Sequence, residues 1–548
     1  MSREIQTQSG YSDQKVIYKI KIMKLLRYFV LFSFNVGFSQ APTIQFDKTF
    51  GGSTNDLIKK LVKTPNGFMA LGFSNSQVSG DKTIVNGAFN TNDIWTINID
   101  ENFNLISQLS YEHSNPNNLL NDFETNLYQD NSSFYFSVTR DNLDIFESRI
   151  HQFDFLNENH NVILPGNLSQ CTNSQTFIDT TISNYFKTSD LNYLYSATSG
   201  IQQATCLSFS SSNFLIQKSS STTFNSVIWS KEYGGSNYEE LKNTFEIQNG
   251  YLLVGNSNSN ISQDKTENSR GLVDFWIIKT DFLGNIVWQK TIGGSSNDNV
   301  SSAIILDDGY ILAGTSSSNI SGEKTEVSIG GKDFWLVKID FNGTIIWQKT
   351  IGGLLDDELR KVILTNDNNI LIIGNSNSNI GGNKTENSFG SNDAWLVKIN
   401  QNGNVIWDKT IGGNLDESVN DIIQTIDNGY LISISSNSSI SGNKTENSRG
   451  GYDYWFVKLT SDNLSNSTFL KSLVSIYPNP TSDVLYIDNP NFEKINSLEI
   501  ISINGTIVKQ ENRISNLQSI NVSNLQSGVY FVKIQINNEV LNYKFIKK

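Results

Sequence analysis

The sequence is poor in cysteine, histidine and charged residues. Among 548 residues there are two cysteines and three histidines, and 17% of the residues are charged. Two cysteines exclude a disulfide-rich scaffold, and no metal-binding spacing is present. Cys171 and Cys206 could pair in an oxidising compartment or remain as two buried thiols. A charged fraction below the roughly 25% of ordinary soluble domains leaves room for the asparagine, serine, threonine and glycine of a turn-rich β protein.

Basic clusters and long apolar runs are also missing. The formal net charge is −13. An acidic surface without a basic patch argues against nucleic acid and anionic membranes as partners. After residue 40 no stretch approaches the ~20 apolar residues of a membrane-spanning helix. We therefore expect no transmembrane segment.

One short apolar run lies near the N-terminus. Residues 23–39 begin with basic residues, continue through a largely apolar stretch and end in small residues. This pattern predicts a signal peptide that is cleaved after Ser39. Residues 1–22 are then a non-native leader if translation starts at Met23, or an extended N-terminal region if it starts at Met1.

Self-similarity covers most of the remaining chain. A DFW-type segment and a KTENS-type segment recur at one interval, and all nine tryptophans occupy one of two repeat positions. Two degenerate copies of the repeat are expected between residues 53 and 233, which gives seven repeats in all. Six or eight remain alternatives, because one junction has lost its markers. Copies of IVWQKTIGG recur about every 60 residues, ending at Gly235, Gly294, Gly353 and Gly413.

Each repeat contains four β-type runs. In one copy these are SAIIL, YILAGT, DFWLVKI and TIIWQKTI, with Asp/Asn-Gly links that predict hairpins. Nearly continuous apolar runs fit strands that are covered on both faces. We predict an all-β fold, a seven-bladed β-propeller of four-stranded blades over residues 40–465. The run at 44–50 would complete the last blade and close the ring. The repeat signature resembles the tandem propeller repeats common in secreted proteins of Bacteroidetes.

A different module follows a linker at residues 466–474. Residues 475–548 contain alternating runs, an Asn-Gly turn and prolines that favour an extended entry, which predicts a small immunoglobulin-like β-sandwich. The order of these pieces resembles the type A C-terminal sorting domain of the type IX secretion system. The matching residues are Pro478, Asn479, Pro480, Asn504, Gly505, Gly528, Tyr530, Lys547 and Lys548.

This resemblance implies a destination and partners. Members of the family are recognised by the outer-membrane translocon, and typical members lose the domain during export while the mature part is attached to surface lipopolysaccharide. The chain is thus expected to pass through the periplasm and to be released or anchored at the outer-membrane surface. Expected partners are the translocon and its sortase, together with an unidentified extracellular glycan or protein ligand.

The loops of such a ring divide between its two faces. The hairpin links lie on one face, so the Gly-Gly and KTENS loops must emerge together on the other, where binding residues usually lie. Repeated carboxylates there could bind calcium. Because a residue copied in every repeat usually serves the repeat, we favour a structural role for them and for the loop lysines. The calcium candidates are Asp298, Asp356, Asp357 and Asp416.

No nucleophile–base pair, metal set or phosphate-binding loop stands out. We therefore predict no catalytic residue, and no cofactor apart from the calcium considered above. The chain is interpreted as a non-catalytic binding or adhesion scaffold. The alternative is an extracellular hydrolase or lyase with its site in the propeller channel, beside the second and third repeats. The residues that break the repeat there include His113, Arg140, Asp141 and Glu147.

Overall fold

The chain forms two compact units that divide between Thr460 and Ser461. Among the described residues no helix is long and apolar enough to cross a membrane. The predicted signal peptide, the linker at 466–474, His113 and both cysteines lie outside the described residues. The computed structural model describes residues 41–85, 93–111, 126–127, 133–142, 145–154, 160–163, 169–170, 177–202, 209–220, 226–462, 475–488, 495–514, 519–536 and 539–548.

The described elements of the first unit are β-strands, grouped into sheets that follow the sequence repeats. The unit starts with β1 (Ile44–Phe50) and sheet 1, which contains β2 (Asp56–Thr64), β3 (Gly67–Ser74), β4 (Asp93–Asp100) and β5 (Leu105–Tyr111). Less regular sheets follow. Sheet 2 contains β7 (Ser133–Asn142), β8 (Ile145–Asp154), β9 (His160–Ile163) and β10 (Ser169–Gln170). Sheet 3 contains β6 (Asn126–Leu127), β11 (Phe177–Lys187), β12 (Tyr193–Gln202), β13 (Phe209–Ser219) and β14 (Val227–Tyr233).

The remaining sheets are regular and four-stranded, as the repeat predicts. Sheet 4 contains β15 (Glu239–Ile247), β16 (Gly250–Ser257), β17 (Asp274–Thr280) and β18 (Ile286–Ile292). Sheet 5 contains β19 (Asp298–Leu306), β20 (Gly309–Ser316), β21 (Asp333–Ile339) and β22 (Ile345–Ile351). Sheet 6 contains β23 (Asp357–Leu364), β24 (Ile370–Ser376), β25 (Asp393–Ile399) and β26 (Val405–Ile411). Sheet 7 contains β27 (Glu417–Gln424), β28 (Tyr430–Ser436), β29 (Asp453–Leu459) and β1.

The Asp/Asn-Gly links form the predicted hairpins. Between β21 and β22 the Asp340 carboxylate accepts hydrogen bonds from the amides of Asn342 and Thr344, both at 2.8 Å. Gly343 has a φ of 81°, in the left-handed region that glycine adopts without a steric penalty. The turn is therefore held by an aspartate at its start and a glycine at its end.

The core lies between sheets, because each sheet is apolar on both faces. Separate clusters of buried residues join sheets 3 and 4, 4 and 5, 5 and 6, and 6 and 7. In each regular sheet the tryptophan of the DFW-type segment is fully buried. Sheets that pack face to face in sequence order form a β-propeller.

The ring is closed by the two ends of the repeat region. β1 pairs antiparallel with β29, from Ile44 opposite Leu459 to Phe50 opposite Tyr454. Sheet 7 also packs on sheet 1, where the Tyr454 hydroxyl donates to the Trp95 carbonyl at 2.9 Å. The predicted closure by residues 44–50 is confirmed, and it covers an edge that would otherwise present unpaired backbone groups.

The first strand of each regular sheet lies innermost, since these strands contact one another around the ring. Each carries an extra residue in the manner of a β-bulge. The amide just before the bulge is bonded by a side chain of the preceding sheet; for example, Val300 donates to Asn256 Oδ1 at 2.7 Å. The residues that follow the bulge are Lys60, Asn243, Ser302, Lys361 and Asp421, with Asn184 as the equivalent in sheet 3.

The structure also shows how the chain passes between sheets, a point that the sequence leaves undecided. The Gly-Gly loop leads from the outermost strand of one sheet to the innermost strand of the next. The KTENS loop stays within a sheet and joins its second and third strands. Both emerge on one face, and Ser295 of a Gly-Gly loop donates from its amide to Ser321 of the adjacent KTENS loop at 2.8 Å. We call this side of the propeller the loop face.

The second unit has two sheets that share one core. Buried residues from both sheets, among them Leu485, Leu498 and Val532, form this core. Its strands are β30 (Ser475–Tyr477), β31 (Val484–Asp488), β32 (Ile495–Ser502), β33 (Ile507–Ile514), β34 (Ser519–Asn521), β35 (Gly528–Ile536) and β36 (Glu539–Lys547). The strand orders are β30-β31-β34 and β33-β32-β35-β36.

Candidate functional site

The aspartates that precede the DFW-type tryptophans hold the KTENS loops in place. Asp333 is fully buried, and its Oδ2 accepts hydrogen bonds from Ser328 Oγ at 2.7 Å and from the Ile329 amide at 2.8 Å. Asp393 and Asp453 accept from a loop amide in the same way, each at 2.6 Å. Burial raises the pKa of Asp453 to about 6. These carboxylates anchor backbone and are not presented to solvent.

The lysines of the KTENS loops are buried too. Lys324 lies with its Nζ 5.1 Å from the centre of the Trp335 ring, a cation–π arrangement, and donates to Thr350 Oγ1 at 2.6 Å. The same set recurs as Lys384 with Trp395 and Thr410. Burial lowers the pKa of Lys384 to about 8, although nearby carboxylates oppose this shift. The loop lysines therefore belong to the scaffold.

Two of the four calcium candidates have scaffold positions. Asp298 is fully buried, and its Oδ2 accepts from the Gly294 amide at 2.6 Å and from Ser318 Oγ at 2.8 Å. Asp357 accepts from the Gly353 amide at 2.6 Å in the same way. Burial is the main cause that raises the pKa of both carboxyl groups. These aspartates tie the Gly-Gly loop to the start of the next sheet.

The other two candidates, Asp356 and Asp416, lie together on a cavity of about 440 Å³ at the loop face, between sheets 6 and 7. Asp356 Oδ1 accepts from the Lys332 amide at 3.1 Å, and Asp416 lies 3.5 Å from Asn392 Nδ2. We call this cavity the 6/7 cavity. Its lining is Asp356, Glu358, Arg360, Asn375, Asn377, Asn392, Asp416, Glu417, Ser418 and Tyr452.

Short side chains leave room for the 6/7 cavity. At the neighbouring interface Lys332 of sheet 5 reaches Glu358 of sheet 6, and their charged groups are 2.6 Å apart. At the cavity the equivalent positions hold Asn392 and Ser418, which are too short to meet in this way. The cavity therefore lies where two short residues occupy positions that differ from one repeat to the next.

Exposed leucines border the 6/7 cavity. Leu355 and Leu415 precede its two aspartates in the chain, and 51% and 46% of their surfaces are exposed. In sheets 1 and 5 the Gly-Gly loops carry small polar residues at these positions, Thr54 and Ser296. An exposed apolar border beside a polar cavity is a feature of binding surfaces. In the described part of the chain, no three His, Cys, Asp or Glu residues are grouped as a metal site.

The propeller channel contains a second cavity, of about 420 Å³, lined by residues of the innermost strands. Beside it Asp421, with 1% of its side chain exposed, lies between Lys60 and Lys361. Lys60 Nζ is 3.3 Å from Asp421 Oδ2, and Lys361 bonds to Asp421 Oδ1. Burial opposes ionisation of Asp421, but the two lysines outweigh it and lower the pKa of this carboxyl. An aspartate held as a carboxylate in this way is poorly suited to donate a proton.

The residues on which the catalytic alternative depends are only partly described. Arg140 and Asp141 lie in β7, and Glu147 lies opposite Arg140 in β8. His151 and His160 lie in β8 and β9. The directions of these side chains, and His113 altogether, lie outside what the structure describes.

The predicted sorting residues gather at one end of the second unit. Asn479, between Pro478 and Pro480, donates to the Lys544 carbonyl and accepts from the Ile546 amide, both at 2.9 Å. Gly528 pairs with Lys547 at the end of β36, and Tyr530 pairs with both Phe545 and Ser502. The chain enters the Asn504-Gly505 turn directly after Ser502. At the same end, the Thr481 carbonyl accepts a hydrogen bond from the Lys548 amide at 2.8 Å. Elements that are far apart in sequence thus meet at one end.

Comparison with known proteins matches the second unit to a family. Residues 475–548 match the secretion system C-terminal sorting domain. No curated protein matches the sequence.

Solved structures of similar shape include the β-propeller domain of the trilobed protease from Pyrococcus furiosus. This domain shares 9% identity, covers 77% of this chain and 98% of its own, and has a TM-score of 0.37. Hydrazine synthase of Kuenenia stuttgartiensis shares 10% identity over 69% and 93% of the chains, with a TM-score of 0.38. Penicillium chrysogenum α-L-arabinanase, in complex with arabinobiose, shares 9% identity, covers 77% of this chain and 99% of its own, and has a TM-score of 0.35. Likeness this distant carries no functional information.

The packed sheets and the family match lead to one conclusion. The first unit is a ring of β-sheets closed by its own N-terminal strand. The second is the sorting domain, which indicates secretion or attachment to the outer-membrane surface. The chain is a β-propeller protein sorted by the type IX secretion system.

Proposed function

We propose that this protein is a seven-bladed β-propeller with an immunoglobulin-like sorting sandwich, and that it binds an extracellular glycan or protein without changing it chemically. The blades are sheets 1 to 7, within boundaries of 40–465, and the sandwich spans 475–548. The translocon and its sortase act on the sandwich after the signal peptide has directed the chain to the periplasm. The ligand binds at the 6/7 cavity.

The observation that carries this proposal is the 6/7 cavity itself, which lies where two short side chains meet. The scaffold residues of sheets 6 and 7 follow the repeat, whereas the positions of Asn392 and Ser418 hold a different pair at each neighbouring interface. Residues that differ where the scaffold is unchanged are free to serve a ligand.

The chemistry of the cavity favours a hydroxyl-rich or peptide ligand. Amides, carboxylates and the Arg360 guanidinium supply both donors and acceptors. The volume of about 440 Å³ is in the range of small-molecule sites and fits a sugar residue or one inserted side chain. Leu355 and Leu415 provide apolar contact beside the polar groups.

The test closes the cavity with a pair that the protein already uses. Asn392→Lys together with Ser418→Glu copies the Lys332–Glu358 ion pair into the 6/7 interface. The matched control, Val273→Lys with Asn299→Glu, places the same pair at the equivalent positions between sheets 4 and 5. The full exported chain and both variants are applied to arrays of extracellular polysaccharide fragments and proteins, with and without calcium.

We expect the parent and the control to bind the same array member and the cavity-closing variant to bind it at least tenfold more weakly. Equal binding by all three proteins would remove the 6/7 cavity as the site. Chemical conversion of the bound member would overturn the non-catalytic assignment and favour the channel enzyme. Unchanged melting temperatures show that all three proteins are folded.

A further inference from the structure

The propeller channel has the features of a second binding site, separate from the loop face. Its cavity of about 420 Å³ is lined by residues of sheets 1, 3, 4, 5 and 6. Its polar residues include lysine, asparagine and serine at the positions that follow the bulges, and apolar residues complete the lining. None of these residues belongs to the 6/7 cavity.

One side of the channel cavity offers ammonium groups. Lys60 and Lys361 both pair with Asp421, whose oxygens also accept from the amides of Leu61 and Ile422. An ammonium group has three N–H donors, so one shared carboxylate with other partners leaves donors for a further acceptor. Burial lowers the pKa of Lys60, although Asp421 opposes this effect. A negatively charged group beside the two lysines would offset that desolvation.

The opposite side of the channel cavity offers an acceptor. Asn243 belongs to sheet 4, across the ring from Lys60, and follows the bulge as the channel lysines do. Its Oδ1 is buried without a hydrogen-bond partner among the described residues. A buried polar atom without a partner is unfavourable, so a ligand hydroxyl that bonds to it would gain affinity.

Glu246 is an acidic residue of the same lining, but it is engaged elsewhere. Its carboxylate accepts hydrogen bonds from the amide and the hydroxyl of Ser189, in the turn of the neighbouring sheet. Along β15 it is three residues from Asn243, or about 10 Å in an extended strand. The lysines and Asn243 therefore define the part of the cavity that a ligand can use.

We propose that the channel binds a small polyhydroxylated carboxylate, of the sugar-acid class, between Lys60 and Lys361 on one side and Asn243 on the other. The carboxylate accepts from the ammonium groups, and a ligand hydroxyl donates to Asn243 Oδ1. A neutral sugar lacks the first interaction, and an inorganic anion lacks the second. Both are expected to bind more weakly than the sugar acid.

The experiment is isothermal titration calorimetry on the full chain with glucuronate, glucose and sulfate at one ionic strength. We expect glucuronate to bind at least tenfold more tightly than either of the others. Glucose as tight as glucuronate would overturn the role of the lysines. Sulfate as tight as glucuronate would overturn the role of the hydroxyls and indicate a site for any anion. No heat with glucuronate would overturn the proposal.

Two variants locate the bound carboxylate. Lys361→Met removes one ammonium group and should weaken glucuronate binding at least tenfold. Ser302→Asp places a carboxylate on the other side of Lys361 from Asp421, in the position assigned to the ligand, so it should abolish binding while the protein stays folded. The control Lys349→Met removes a half-exposed lysine of the outer strand β22, which pairs with Glu326. This variant should bind glucuronate as tightly as the parent does.

The proposed channel site and the proposed site at the loop face can be tested independently. The cavity-closing variant Asn392→Lys with Ser418→Glu should keep its glucuronate affinity, since neither residue lines the channel. Binding that survives Ser302→Asp but is lost in the cavity-closing variant would assign the sugar acid to the loop face and overturn the channel site.

Discussion

The interface between sheets 5 and 6 and the interface between sheets 6 and 7 are built from nearly the same sequence, yet their loop-face ends differ. Both bury a lysine against a tryptophan and tie a Gly-Gly loop to an acidic side chain. At the first interface Lys332 and Glu358 close the surface with an ion pair. At the second, Asn392 and Ser418 leave a cavity of about 440 Å³.

This comparison separates residues that build a sheet from residues that give it a surface of its own. Lys324 and Lys384 have the same partners in both sheets because each satisfies the loop of its own sheet. Lys332 and Asn392 differ because their side chains face solvent at the interface, where the fold sets no requirement. The predictions below test this division, beginning with the largest expected effect.

Replacing Lys384 with methionine should destabilise the propeller most. The change removes the bond to Thr410 and leaves the nearby carboxylates of Asp357 and Asp393 buried without their counter-charge. We expect the free energy of unfolding to fall by about 3–5 kcal/mol, measured by urea denaturation with tryptophan fluorescence. Lys324→Met in sheet 5 should cost about the same.

The control for this prediction is Lys349→Met, which breaks a half-exposed pair with Glu326. Its expected cost is below about 1 kcal/mol. If Lys384→Met cost no more than this control, the buried lysines would not be scaffold residues. A large difference between the variants of sheets 5 and 6 would show that the two interfaces are not equivalent.

The pH dependence of stability should show the same lysines. Burial lowers the pKa of Lys265, Lys384 and Lys444 to about 8 from an ordinary value of 10.5. Between these values the folded chain binds fewer protons than the unfolded chain. The free energy of unfolding therefore rises with pH in this window, by at most about 1.4 kcal/mol per pH unit for each lysine. Denaturation curves at pH 8 and 10 should show a shallower rise for Lys384→Met; an equal rise would contradict the assignment.

The smallest effect is expected for Lys332→Asn, which gives the 5/6 interface the residue that the 6/7 interface has. Lys332 and Glu358 are 44% and 39% exposed, so their ion pair is screened by solvent. We expect a change below about 0.5 kcal/mol in the free energy of unfolding. A loss as large as that of Lys384→Met would place Lys332 in the scaffold and remove the contrast between the two interfaces.

Much of the fold can be predicted because the same sequence pattern occurs in several copies. The Asp340–Gly343 turn, the buried Trp335 and the closure by residues 44–50 all follow from local patterns that recur at one interval. The route of the chain between sheets cannot be predicted from these patterns, since the Gly-Gly and KTENS loops have similar compositions. It depends on which strand lies innermost, and that is set by contacts between repeats.

The candidate site is less predictable. Asp298 and Asp357 look like metal ligands in sequence. A carboxylate that follows Gly-Gly is, however, in place to accept hydrogen bonds from the loop amides, and both side chains are buried there. Asn392 and Ser418 carry no motif and occupy positions that vary among the repeats, so only the packing of sheets 6 and 7 shows that two short side chains meet there. Lys60 and Lys361 come together only because the ring closes and both reach Asp421, although they are about 300 residues apart in a chain of 548.

The pairing of β1 with β29 has a consequence for how such a protein can change over generations. The last sheet is completed by the chain's own beginning, so the join lies between two fixed ends and not between two copies of the repeat. A duplicated stretch of about 60 residues inserted between those ends adds a whole sheet and leaves both closing strands intact. Such copies keep the scaffold residues in common, while the interface positions, such as those of Val273, Lys332 and Asn392, differ from copy to copy.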